Sequence, residues 1–320
     1  MLISILTILL GAVLIMKGAD LLTDGSSALA KRLNVSDMVI GLTVVAMGSS
    51  LPEFSVSFFS ALKGSAGMSA GNIVGSNLFN TLVIVGVVAM ISPLKVSRST
   101  VFKDIPFTLV ASLSLMFLLK DTVFGDSGTD ILSRADGLVL LLFFGIFMAY
   151  TFSLALNGVH QDEETAPVAE MGNVKMLLYI LIGFVCLIAG GEFFVDGASD
   201  LARILGVSET IIGLTILAAG TSLPELAASI MAARKGAAGM AIGNVVGSCL
   251  FNIFFILGVC STVTPMQVTD VSMMQLGVLA GSGLLLWLVS YTHLEVKRWE
   301  GMLMTLCYIA FLVYTVVLAV

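Results

Sequence analysis

GLTVVAMGSSLPEFSVSFFSALKGSAGMSAGNIVGSNLFNTLVIVG, residues 41–86, is met again as GLTILAAGTSLPELAASIMAARKGAAGMAIGNVVGSCLFNIFFILG at 213–258. The offset is a constant 172 without a gap, and 26 of the 46 positions are identical. The match reaches further back, with Asp24-Gly25 mapping to Asp196-Gly197 and Val35-Ser36 to Val207-Ser208. Agreement of this length marks an internal duplication. A duplication kept for packing alone would keep apolar and small residues. Here Glu53/Glu225 and Asn80/Asn252 also match, and packing does not need them.

The rest of the chain says what solvent surrounds the duplicated unit. Hydrophobic residues make up 58% and charged residues 11%, with a mean hydropathy of +1.07. A soluble domain carries roughly 25% charged residues, so lipid is the solvent that fits. The net charge of −6 reflects acids gathered in loops, such as Asp162, Glu163, Glu164 and Glu170. No basic run with interleaved aromatics points to nucleic acid. Cys186, Cys249, Cys260 and Cys307 form no CxxC and read as buried reduced thiols. His160 and His293 fall in loops, which removes a zinc motif of the HExxH kind. Residues 1–16 are apolar with no basic stretch before them and read as a first span, not a removable signal peptide.

A membrane helix needs roughly 20 mainly apolar residues. Ten runs qualify: 2–23, 36–61, 68–91, 104–120, 137–156, 174–195, 208–233, 240–262, 271–291 and 300–319. The expected fold is all-α, with a first five-helix repeat at 1–156, an acidic linker at 157–173 and a second repeat at 174–320. Five helices are an odd number, so the second copy enters from the opposite side. That is the inverted repeat of secondary transporters, whose substrate site lies near the midplane. With the N-terminus outside, the cytoplasmic segments hold ten Lys and Arg residues and the external ones four. The positive-inside rule then places both termini outside and the linker in the cytoplasm.

Glu53 and Glu225 lie mid-span, where an ionisable group is costly unless it faces a cavity, a partner or an ion. No Lys or Arg lies at like depth in the second, third, seventh or eighth span, so a transported cation is the fitting partner. Pro52 and Pro224 precede the glutamates and predict breaks in helices 2 and 7 over 46–52 and 218–224. Such breaks free backbone carbonyls inside the bilayer, and these attract cations. Ser49, Ser50 and Glu53 share a helical face, as do Thr221, Ser222 and Glu225. Ser76 with Asn80, and Ser248 with Asn252, add polar stripes four residues apart. The donor set is all oxygen, which suits hard cations such as Ca2+ and Na+. Two carboxylates match one Ca2+, and Na+ or H+ competing for them would make an antiporter. Gly71, Gly75, Gly243 and Gly247 form GxxxG pairs that read as packing. Asp20, Asp24, Glu192 and Asp196 lie near membrane edges, where solvated or interhelical contacts are expected.

GSSLPE at 48–53 and GTSLPE at 220–225, with GNIVGSNLFN at 71–80 and GNVVGSCLFN at 243–252, resemble the alpha repeats of the calcium/cation antiporter superfamily. The short loops resemble its prokaryotic sodium/calcium exchanger branch, in the inner membrane. The resemblance implies that Glu53 and Glu225 are central calcium ligands, flanked by Ser50, Ser222, Asn80 and Asn252. It implies sodium sites completed by Ser49, Thr221, Ser76, Ser248 and backbone oxygens of Ala46 and Ala218. It also implies alternating access, with the first and sixth spans sliding against the rest. Both amide positions are Asn here, whereas several exchangers of the superfamily have Asp at one. Na+ and H+ therefore both stand as driving ions, and nothing supports potassium co-transport.

A passive cation channel is the rival transport reading, and it predicts flux without a counter-ion. An intramembrane hydrolase would need a Ser/His or metal-ligand constellation that the sequence does not carry. The chain reads as no enzyme, with Ca2+ and Na+ as cargo, no cofactor and no obligate protein partner.

Overall fold

The computed structural model describes all residues except 126–127, 157–170, 207–215, 217, 269–270 and 320. In chain order its helices are α1 (Leu2–Leu33), α2 (Asp37–Ser49), α3 (Leu51–Leu62), α4 (Ala66–Ile91), α5 (Thr100–Leu119) and α6 (Arg134–Leu156), with a single helical turn at Asp121–Phe124 between the last two. The second half repeats the plan with α7 (Asn173–Ile204), α8 (Ala218–Gly220), α9 (Leu223–Arg234), α10 (Ala238–Val263), α11 (Met273–His293) and α12 (Arg298–Ala319). Among the described residues seven helices are long and apolar enough to cross a bilayer, and the bent pair α2–α3 makes an eighth. Residues 157–170 of the linker expected at 157–173, and the beginning of the seventh expected span, lie outside the described residues.

The duplication carries into the backbone. Helices α3 and α9, and α4 and α10, start at positions 172 residues apart. So do the two-residue strands β1 (Leu94–Lys95) and β3 (Met266–Gln267), each following a proline, Pro93 or Pro265, that stops the helix before it. They pair antiparallel across the halves: β1 with β4 (Glu295–Val296), and β3 with β2 (Ile131–Leu132). These ladders were not anticipated by an all-α reading. They are too short to show a two-residue alternation.

Helices α1 and α7 run antiparallel with their backbones in contact. Gly11, Gly18 and Gly25 recur every seven residues, and Gly183, Gly190 and Gly197 repeat them at the same offset of 172. A Cβ on Gly18 would sit 2.8 Å from the Gly183 carbonyl oxygen, and one on Gly190 would sit 2.9 Å from that of Gly11. Both helices outrun the spans expected at 2–23 and 174–195. The extra turns of α1 hold Ser26 and Ser27, which look like loop by hydropathy but are buried against neighbouring helices.

Three further details depart from the sequence reading. His293 is the last residue of α11 and does not lie in a loop. Cys307 is exposed on α12, whereas Cys249 and Cys260 are buried as expected. Among the described residues π-turns span Gly41–Val45, Phe79–Ile84, Thr100–Asp104 and Phe251–Leu257. An extra residue per turn shifts the face that follows it, and such bulges are frequent at functional sites.

Candidate ion-binding site

The helix break is tighter than an unwinding over 46–52. Only Ser50 leaves the helix, at φ −83° and ψ 10°, and α2 and α3 meet at 48°. Pro52 lies in the first turn of α3, where a missing N–H removes no helical bond. Ser222 and Pro224 repeat this before and within α9. Glu53 and Glu225 thus stand in the first turn of a new helix, where the exposed N–H dipoles favour a carboxylate. Gly48 does more than ease the break: a Cβ there would collide with the ring edge of Phe184 on α7.

The freed carbonyl expected at Ala46 is already engaged. It accepts from the Ser50 amide at 3.1 Å, from Ser49 Oγ at 3.4 Å and from Ser248 Oγ at 3.5 Å. Ala218 opens the short helix α8.

Both glutamates are fully buried, and each is bonded by the serine of the other repeat. Ser50 Oγ donates to Glu225 Oε1 at 2.8 Å, and Ser222 Oγ donates to Glu53 Oε1 at 2.9 Å. Among the described residues no Lys, Arg or His pairs with either carboxylate. The second oxygens, Glu53 Oε2 and Glu225 Oε2, have no hydrogen-bond partner there. The same holds for Asn252 Oδ1, Ser76 Oγ, Thr221 Oγ1 and both amide atoms of Asn80. Ser49 Oγ is engaged, donating to Asn244 Oδ1 at 3.2 Å. Asn80 and Asn252 stand second in the matched π-turns of α4 and α10.

A buried polar atom without a partner costs on the order of 1–3 kcal/mol. Gathering several oxygens in that condition, two of them carboxylate, is a large penalty unless a cation meets them. Among the described residues no three His, Cys, Asp or Glu come together. The site is therefore two carboxylates with hydroxyls and amides, the set that suits a hard cation.

Sequence reasoning missed the residues behind the ligand set. Asn72 Nδ2 donates to Ser57 Oγ at 3.0 Å and to the Glu53 carbonyl at 3.4 Å. Asn244 Nδ2 does the same to Ser229 Oγ at 2.9 Å and the Glu225 carbonyl at 3.2 Å. These pairs hold α3 on α4 and α9 on α10, which sets the depth of each glutamate. The signal was present: Asn72/Asn244 and Ser57/Ser229 all match at offset 172.

Two of the four edge acids make interhelical contacts. Lys235, next after α9, pairs with Asp20 and Asp24 of α1, the latter at 2.6 Å. Glu192 and Asp196 are exposed on α7. The GxxxG reading holds for the second copy. A Cβ on Gly243 or Gly247 would fall 2.6 Å from the carbonyl oxygen of Met38 or Leu42. No atom of the described residues lies within 4 Å of a Cβ built on Gly71 or Gly75.

Comparison with known proteins shows which family the chain belongs to. The family model described as sodium/calcium exchanger protein matches residues 3–153 and 175–317. The sodium/calcium exchanger MaX1 of Methanosarcina acetivorans is 33% identical over 97% of this chain and 98% of its own length. The putative antiporter CaxA of Alkalimonas amylolytica is 36% identical over 83% of this chain and 82% of its own length. A solved structure of the sodium-calcium exchanger NCX_Mj superposes with a TM-score of 0.81 at 34% identity, covering 97% of each chain. These relatives are transporters, not enzymes, and multi-pass membrane proteins. By its family match, its fold and its near full-length relatives, the chain belongs to the sodium/calcium exchanger family.

Proposed function

We propose that the chain is a secondary antiporter that exchanges Ca2+ for Na+ at one central site. The observation that carries this reading is the pair of buried glutamates, each bonded through one oxygen by the opposite repeat and free at the other. Glu53 and Glu225 ionised supply two negative charges, which one Ca2+ neutralises. Asn80, Asn252, Ser50 and Ser222 complete its shell. Ser49, Thr221, Ser76, Ser248 and the backbone oxygens of Ala46 and Ala218 complete flanking Na+ sites, the Ser49 and Ser248 hydroxyls turning off the Ala46 carbonyl as the ion enters. Ca2+ and Na+ compete for the same carboxylates, so one ion leaves as the other enters.

The site is read as a midplane site in ten spans arranged as two inverted repeats, with the second span (36–61) and the seventh (208–233) broken. Alternating access follows from α1 and α7 moving as a pair against the rest. The glycine stripe supports this, since it gives the two helices a close shared surface of their own. The positive-inside bias supports an inner-membrane protein with both termini external.

Reconstituted vesicles test the reading with Na+, H+ and K+ gradients imposed one at a time. A Na+ gradient alone should drive Ca2+ uptake. Uptake driven by a pH gradient alone would make H+ the driving ion at the same glutamates, and flux with no counter-ion gradient would mean a channel.

A further inference from the structure

One of the positions at which the two repeats differ lies directly behind the site. Asn77 on α4 has Cys249 on α10 as its counterpart at offset 172. Both are buried, and they lie against one another where α4 and α10 cross.

The hydrogen bonds of Asn77 run in one direction. Its Nδ2 donates to the Cys249 carbonyl at 3.1 Å, and its Oδ1 accepts from Asn252 Nδ2 at 2.9 Å. A backbone carbonyl only accepts, so it fixes which end of the Asn77 amide faces Cys249. The other end of Asn77 is then an oxygen, which only accepts. Asn252 must meet it with its NH2. The two ends of an amide are nearly equal in shape, so it is this partner that decides how Asn252 is turned. The Asn252 oxygen is left aimed away from Asn77, fully buried and without a hydrogen-bond partner among the described residues.

Asn80, the counterpart of Asn252, has no such lock. Cys249 stands where an orienting amide would be. Its thiol lies 3.7 Å from Thr81 Oγ1 and 4.0 Å from the Asn77 carbonyl oxygen. Neither amide atom of Asn80 has a hydrogen-bond partner among the described residues.

We infer that Asn77 is a positioning residue that holds Asn252 with its oxygen toward the ion, making the two repeat-related amides unequal ligands. This rests on the reading of the site as an ion site. Asn252 is presented as an oxygen before the cation arrives. Asn80 must be turned to oxygen-first by the cation itself. The pseudo-symmetric cage thus has one fixed and one adjustable amide, set by an Asn-to-Cys difference in the layer behind it.

Ca2+ binding to the purified full chain in detergent tests this in two backgrounds. Asn77→Leu should weaken Ca2+ binding about tenfold, the loss of one orienting hydrogen bond near a charge. In the Asn252→Asp background the same substitution should cost less than about twofold or give a gain. A carboxylate presents oxygen at either end, so orientation no longer matters. An equal loss in both backgrounds, or no loss beside Asn252, overturns the inference. Should the Leu variant fail to fold, as judged by its melting without Ca2+, Asn77→Ala carries the same comparison. Glu53→Gln is the control: wild-type Ca2+ binding in that variant would sink the site reading itself, whatever Asn77 does.

Discussion

Ser50 donates to Glu225 across 175 residues of sequence, at 2.8 Å, and Ser222 returns the same bond to Glu53 at 2.9 Å. The two repeats therefore hold each other's carboxylates, and neither half completes its ligand alone. Each serine is also the residue at which its helix breaks, so the break and the ligand are fixed together.

This reciprocity predicts matched effects. Ser50→Ala and Ser222→Ala should each weaken Ca2+ binding by a similar factor, about 10- to 100-fold, since a hydrogen bond to a charged group is worth roughly 1.5–3 kcal/mol. Isothermal titration of both variants checks it. A loss in one variant only would mean that one glutamate carries the ion.

The backbone contact of α1 with α7 predicts intolerance at Gly18. A Cβ there meets the Gly183 carbonyl oxygen and the Leu187 amide nitrogen, both at 2.8 Å, and backbone cannot turn aside as a flexible side chain can. Gly18→Leu should lower stability by roughly 1–3 kcal/mol or more, the usual cost of overpacking. Thermal melting in detergent measures it, with Gly145→Leu, where no described atom lies within 4 Å, as the comparison.

Outside the spans, Lys120 pairs with Asp130 at 2.6 Å, and both are buried. Burial pushes the Asp130 carboxyl up, but the bonds from Lys120 and Thr122 outweigh it and hold the pKa at about 2. A carboxylate held low stabilises the fold fully above its unfolded value, near pH 4. That contribution is lost as the pH falls toward 2. Wild type should lose melting temperature across this window, and Asp130→Asn should lose less. At pH 7 Asp130→Asn should itself be destabilised, because Lys120 keeps a hydrogen-bond acceptor but loses the opposite charge.

Lys235 ties the end of α9 to α1 through Asp20 and Asp24. Burial lowers its pKa, but the two acids more than offset this and the net shift is upward, so the ammonium stays charged at neutral pH. The three side chains are only partly buried, so Lys235→Met should cost no more than about 1 kcal/mol. Cysteine cross-linking between α1 and α9 should fall in efficiency in that variant, since the tie that fixes their spacing is gone.

Much of this was legible because the duplication is written at one fixed offset. The matched glutamates, serines and asparagines were read from that alone, and the structure brings Glu53, Glu225, Ser50 and Ser222 into hydrogen-bonded contact. What was not legible depends on which faces meet. Hydropathy ended α1 near residue 23 because it scores Ser26 and Ser27 as loop, and only their neighbours show them buried. The resemblance implied the Ala46 carbonyl as a sodium ligand, open to an ion beside its own helical donor, the Ser50 amide. Sequence does not reveal that Ser248, 202 residues away, supplies another. The π-turns that aim Asn80 and Asn252 leave no residue-type signature, because the extra residue is accommodated by the backbone.

The most direct test of the account is radiolabelled Ca2+ uptake into vesicles under an imposed Na+ gradient, comparing wild type with Glu53→Gln and Glu225→Gln. The account predicts that either substitution abolishes uptake while the protein still folds and reconstitutes. Uptake at the wild-type rate in either variant would contradict it.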